Sequence, residues 1–125
     1  MSNIATIQLN SGPNTQANLL VVSDIFEQIS KSKAKVVVLP ENFSLMPEED
    51  SEFLEKAEDD GQGNVQDFIR DLASKYKVWV VAGTIPTKTN NPKKVNATTY
   101  VYDDRGDTVY KYNKIHPVSY THLRA

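Results

Sequence analysis

The run Lys35-Val36-Val37-Val38-Leu39, stopped at once by Pro40, constrains the fold more than any other feature of this chain. Consecutive β-branched residues without polar alternation read as a strand buried on both faces, the kind found in parallel sheets. Pro40 cannot continue the ladder, so Glu41 is left just past the carboxyl end of the strand. In open α/β sheets that edge is where ligands bind.

The segments around this strand repeat the same grammar. Asn3 to Leu9 is rich in Ile and Thr and ends in the turn residues Ser11-Gly12-Pro13-Asn14, which predicts a first strand. From Thr15 to about Ser32, Leu20, Val21, Ile25 and Ile29 form one helical stripe and Leu19, Val22 and Phe26 a second. Together they make a wide apolar face, with Asn14 placed to cap. Ser51 to Glu58 is a short acidic helix or loop, a solvated excursion or a segment folding over a site. Val65, Phe68, Ile69, Leu72, Ala73 and Tyr76 recur at offsets of three and four behind Asn64, which predicts a second covering helix capped by that residue. Val78 to Thr84 then reads as a third buried strand, and right-handed crossovers make the three strands parallel. Thr87 to Lys94 is a polar loop. Val95 to Asp103 and Asp107 to Tyr112 flank Asp104-Arg105-Gly106 as a β-hairpin whose second strand ends next to Lys114.

Composition sets the limits on function. The 14 Lys and Arg against 16 Asp and Glu give a formal charge of -2, so no basic excess draws in nucleic acid or an anionic membrane. No apolar stretch approaches membrane-spanning length, and the first residues lack the basic region and long apolar core of a signal peptide, so the expected location is cytoplasmic. The count of cysteines is zero, which excludes disulfides, thiolate metal sites and a thiol nucleophile within these residues. Gly61-Gln62-Gly63 lacks phosphate-loop spacing and is expected to be a turn. His116 and His122, the only histidines, make a poor metal site, and no metal or cofactor is expected.

Leu39-Pro40-Glu41-Asn42-Phe43 after one strand, the segment Val78 to Pro86, the hairpin Tyr102-Asp103-Asp104-Arg105-Gly106 and Tyr112-Asn113-Lys114-Ile115-His116 come in a fixed order. In that order they resemble the amino-terminal half of a carbon-nitrogen hydrolase of the nitrilase superfamily. The resemblance is strongest to the small amidases that include omega-amidase and deaminated glutathione amidase. It covers residues 1–116 and implies an α/β fold, part of an αββα sandwich with three parallel strands, covering helices and a β-hairpin. It further implies Glu41 as general base, Lys114 as the cation facing a tetrahedral oxyanion, and a downstream cysteine as nucleophile, the three parts an amide hydrolysis through a thiol ester requires. Asn42 and Phe43 are candidates for the substrate pocket. His116 is expected to be structural. Asn113 stands where the family commonly has Asp.

After His116 the family usually continues with an apolar and acidic pattern, whereas this chain reads Pro117-Val118-Ser119-Tyr120-Thr121-His122-Leu123-Arg124-Ala125, so residues 117–125 are expected to be a non-native tail. The resulting expectation is a hydrolase acting on a small amide or nitrile, homo-oligomeric at full length, and inactive in these 125 residues for want of the cysteine. Two other classes stay open. One is a non-catalytic ligand-binding or subunit-pairing pseudoenzyme. The other is an unrelated flavodoxin-like binding domain, which shares the strand and helix alternation but leaves Glu41 and Lys114 unexplained together.

Overall fold

A computed structural model describes residues 3–117 of the chain. The elements run β1 (Asn3–Thr6), α1 (Thr15–Ile29), β2 (Ala34–Leu39), α2 (Ser51–Lys56), α3 (Asn64–Tyr76), β3 (Trp79–Lys88), β4 (Lys94–Tyr102) and β5 (Thr108–Pro117). The five strands form one sheet in the order β1-β2-β3-β4-β5. The first three are parallel, as the two crossover helices require, and β4 and β5 add an antiparallel hairpin.

The helix over Thr15–Ile29 begins where expected, with the Ala17 N–H donating to the Asn14 side chain at 3.0 Å. Its two apolar stripes fare differently. Leu19, Val22 and Phe26 are buried, whereas Leu20 and Val21 stay exposed. The second covering helix, α3, starts with Gly63 as its cap position, and Asn64 lies inside it. The orphan amides of that first turn are satisfied from outside the helix, since Val65 and Gln66 donate to the Glu58 carboxylate at 2.6 and 3.2 Å. The cap is thus not the adjacent Asn64 that the sequence pattern predicts but a carboxylate seven residues before Val65.

Both helices lie on the same face of the sheet and meet through Phe26 and Tyr76, whose ring centroids are 6.2 Å apart. Beneath them the core gathers Val37 and Leu39 of β2, Val80 and Ala82 of β3, Tyr100 and Tyr102 of β4, and Ile69 and Leu72 of α3. The strand over Ala34–Leu39 is therefore covered on one face only, because Val36 and Val38 point the other way and are half-buried.

The hairpin turn is built on Asp103, whose carboxylate accepts the N–H groups of Asp107 and Arg105 at 3.0 and 2.9 Å, holding its carboxyl below the usual range. Gly106 sits at φ 87°, where a Cβ would also meet the Arg70 carbonyl oxygen at 2.8 Å, so this position needs glycine. Two strands run further than the sequence pattern indicated. β3 continues to Lys88 into what reads as loop, with a register shift between Ala82 and Ile85, and β5 carries its pairing with β4 to Pro117. Lys114 accordingly lies within β5, opposite Ala97, and not beyond the end of the strand. Val118 to Ala125, with Ser119 and His122, fall outside the described residues.

Candidate active site

Glu41 follows the last rung of β2, where Leu39 pairs with Ala82 of β3. The chain then turns sharply, because Asn42 adopts φ 56°, a left-handed conformation that asparagine tolerates better than most residues. Its N–H donates to Thr84 Oγ1 at 3.2 Å, and the Thr84 hydroxyl lies 3.5 Å from Asn42 Oδ1. The residues that follow are tied to the β1–α1 connection. Ser11 Oγ donates to the Phe43 carbonyl at 2.9 Å, and Asn18 Nδ2 donates to the carbonyls of Ser44 and Gly12 at 2.8 and 2.9 Å while its Oδ1 accepts from the Gly12 N–H at 3.0 Å. Asn18 thus ties the start of α1 and the loop before it to Ser44, far away in sequence. The only hint of it in the chain is one polar residue beside an apolar helical stripe.

A cavity of about 290 Å³ opens at this end of the sheet, lined by Glu41, Asn42 and Thr84 on one side and by Lys114 with Asn96 and Ala97 on the hairpin side. Met46, Pro47, Asp50 and Phe53, from the segment leading into α2 and from α2 itself, form a further wall with Pro86 and Val95. The acidic segment Ser51 to Glu58 lines the cavity through the buried Phe53, with Asp50 just before it. Glu41 and Lys114 are exposed, and among the described residues no ion pair joins them, so they face one space from separate elements. The neighbouring strand position is fixed by a polar ladder, in which Thr87 and Thr98 share a hydrogen bond of 2.7 Å and Thr98 Oγ1 donates to Asn113 Oδ1 at 2.9 Å. That ladder holds β5 in register one residue before Lys114.

The structure brings Glu41, Asn42 and Lys114 to one cavity. Phe43 is not there: it is fully buried among Val37, Leu39 and the covering helices, so its side chain belongs to the core. Gly61-Gln62-Gly63 is a turn, closed by a bridge between Asp59 and Gln62. A larger depression of about 640 Å³ lies between α1 and α3 beside Asn14, Ser44, Glu55 and Glu58, and of its two carboxylates Glu58 is already engaged in capping α3. Among the described residues no three His, Cys, Asp or Glu side chains are grouped closely enough to hold a metal ion. Nor is any described helix long and apolar enough to cross a membrane.

The carbon-nitrogen hydrolase family model matches residues 3–124, and the chain belongs to that family. It is 31% identical over 116 residues to the deaminated glutathione amidase of Yersinia enterocolitica, covering 92% of this chain and 40% of that protein. It is 32% identical over 120 residues to the omega-amidase Nit3 of Saccharomyces cerevisiae, covering 90% of this chain and again 40% of that protein. The crystal structure of Saccharomyces cerevisiae Nit3, a member of branch 10 of the nitrilase superfamily, superimposes with a TM-score of 0.78 at 26% identity over 94% of this chain and 48% of that one. The chain therefore spans about 40% of the length of these curated relatives.

Proposed function

We propose that these residues are the amino-terminal part of an amidase that hydrolyses a small amide, or a nitrile, through a Glu-Lys-Cys triad of which Glu41 and Lys114 are two members. The observation that carries this reading is the shared cavity, which a carboxylate from the end of β2 and an ammonium from β5 both line. In the proposed sequence Glu41 takes the proton of a cysteine thiol supplied by sequence outside these 125 residues. The thiolate attacks the amide carbon, and the oxyanion that develops faces the Lys114 ammonium. Collapse breaks the C–N bond, and the proton held by Glu41 leaves with the nitrogen as ammonia. Glu41 then deprotonates water to release the acyl group as its acid. Asn42 shapes the wall beside the reacting carbon. The complete protein on this reading is a cytoplasmic homo-oligomer that requires no cofactor, residues 1–116 belong to the hydrolase domain, and residues 117–125 depart from it.

The test is made on two proteins. The 125-residue chain should release no ammonia from glutaramate, succinamate or simple nitriles, since it holds no cysteine. In the complete protein, Lys114→Ala should lower kcat by roughly a hundredfold or more with KM much less affected, the scale of losing an oxyanion donor. Glu41→Gln should leave no covalent adduct in the intact mass with a slow substrate. Turnover by the 125-residue chain that vanishes on Glu41→Gln, or near-full kcat in Lys114→Ala, would overturn the assignment.

A second reading, a non-catalytic subunit-pairing protein, is supported by the face of the sheet opposite the helices, where Ile4, Trp79, Tyr110 and Tyr112 are exposed. It predicts that the 125-residue chain is a defined oligomer with a cooperative melt. The amidase reading predicts instead that the isolated chain aggregates or binds a hydrophobic dye.

A further inference from the structure

We propose that Thr84 is a positioning residue, whose hydroxyl aims Glu41 into the cavity by clamping Asn42 in its left-handed conformation. The inference rests on the reading of Glu41 as the general base. Leu39 is fixed by its rung with Ala82, and Phe43 is fixed by complete burial, so the direction of Glu41 is decided within Pro40 to Asn42. Among the described residues no hydrogen bond or ion pair holds the Glu41 carboxylate itself, so its aim must come through the backbone. Among the described residues, the one side-chain hydrogen bond made to the backbone of that stretch is from the Asn42 N–H to Thr84 Oγ1, at 3.2 Å across 42 residues of sequence.

The bond is well placed to act as a clamp. At φ 56° a residue with a Cβ sits in a sparsely populated conformation, which persists only when its surroundings hold it. Thr84 is 7% exposed and lies within β3, so its hydroxyl is delivered from the sheet and not from a mobile loop. The same hydroxyl reaches toward Asn42 Oδ1 at 3.5 Å, the outer limit of such a contact, and Asn42 O accepts the Leu45 N–H at 3.2 Å on the other side. Valine at position 84 would keep the shape and lose the acceptor, whereas serine would keep the acceptor.

The experiment is run in the complete protein that carries these residues and its cysteine, with steady-state kinetics and a melting curve for each variant. Thr84→Val should lower kcat by about a hundredfold, the scale of a small misplacement of a catalytic group, while KM moves far less. Thr84→Ser should restore kcat to within about threefold of the parent, a rescue that a general loss of stability would not give. Should Thr84→Val fail to fold, Asn42→Ala and Asn42→Gly decide the matter, since glycine takes positive φ freely and alanine does not. Asn42→Gly should then retain the greater kcat of the two. Glu41→Gln is the control for the underlying reading: if it retains activity, the base assignment fails. If Glu41→Gln is inactive yet Thr84→Val keeps kcat near the parent, or Thr84→Ser fails to rescue, or alanine equals glycine at position 42, the clamp is wrong and the base assignment stands.

Discussion

The two faces of the sheet are made from similar residues and have different fates. In register across the strands, Val37, Val80 and Tyr102 form a row under the helices that is at most 1% exposed. One residue along, Thr6, Val38, Val81, Val101 and Tyr110 form a row of equal regularity on the opposite face, where the valines are half-buried and Tyr110 is 60% exposed. An antiparallel sheet with one wet face alternates apolar and polar residues, but these strands do not. The open row is thus written for a second layer, as an αββα sandwich would supply, and the helical row already has its own.

The largest expected contrast between the faces is in stability. Phe26→Ala, which empties the contact between α1 and the sheet, should cost about 3–5 kcal/mol by urea unfolding. Tyr112→Ser on the open face should stay within about 0.5 kcal/mol in the isolated chain. An equal cost at Tyr112 would break the comparison, since it would mean that something covers that face in solution.

A smaller effect sharpens the account of how the helical face is closed. Glu58→Ala removes the carboxylate that caps α3 and should cost about 1–2 kcal/mol, the upper part of the range for lost caps. Asn64→Ala, in contrast, should change little, because that side chain is not the cap. If Asn64→Ala costs as much as Glu58→Ala, the helix start is held as the sequence pattern alone would have it.

The smallest change at neutral pH comes from the tyrosines beneath the helices. Burial pushes the Tyr102 phenol well above its ordinary value of 10.0, and burial together with the hydrogen bond to Asp60 does the same for Tyr100. Protonated phenols are therefore favoured in the folded state. Their contribution is complete below pH 10 and is lost as pH climbs beyond it. Among the described residues the Tyr102 hydroxyl is buried without a hydrogen-bond partner, so Tyr102→Phe should be near neutral at pH 7 and should move the alkaline unfolding midpoint upward. An unchanged alkaline midpoint would show that Tyr102 is hydrated.

Asp60 sets the opposite limit. Hydrogen bonds from Lys111 and Tyr100 hold its carboxyl below the ordinary 3.8, so what it contributes is present above that value and declines as pH falls further. Its side chain is half exposed, which keeps the contribution small.

Much of this was legible in the chain. The order of strands and helices, the Asn14 cap and the hairpin followed from periodicity and turn chemistry, because those signals act over a few residues. The β-branched run over residues 35–39 announced a strand, though one covered on a single face and not on both, and Pro40 placed Glu41 at its end. What the pattern could not show was anything decided across a large gap in sequence. The Asn18 bond to Ser44 and the hydrogen bond from Asn42 to Thr84 join groups whose proximity exists only after the crossovers have packed, and the Glu58 cap, though close to Val65 in sequence, depends on a loop that is bridged to Thr87 of β3. The same reason explains Phe43: beside Glu41 in the chain, it is turned to the opposite side by the left-handed Asn42, so a candidate pocket residue became core. Sequence by itself fixed which residues could carry the chemistry. Tertiary structure alone decided that Glu41 and Lys114 share a cavity, since β2 and β5 are brought to the same end of the sheet by strands β3 and β4 between them.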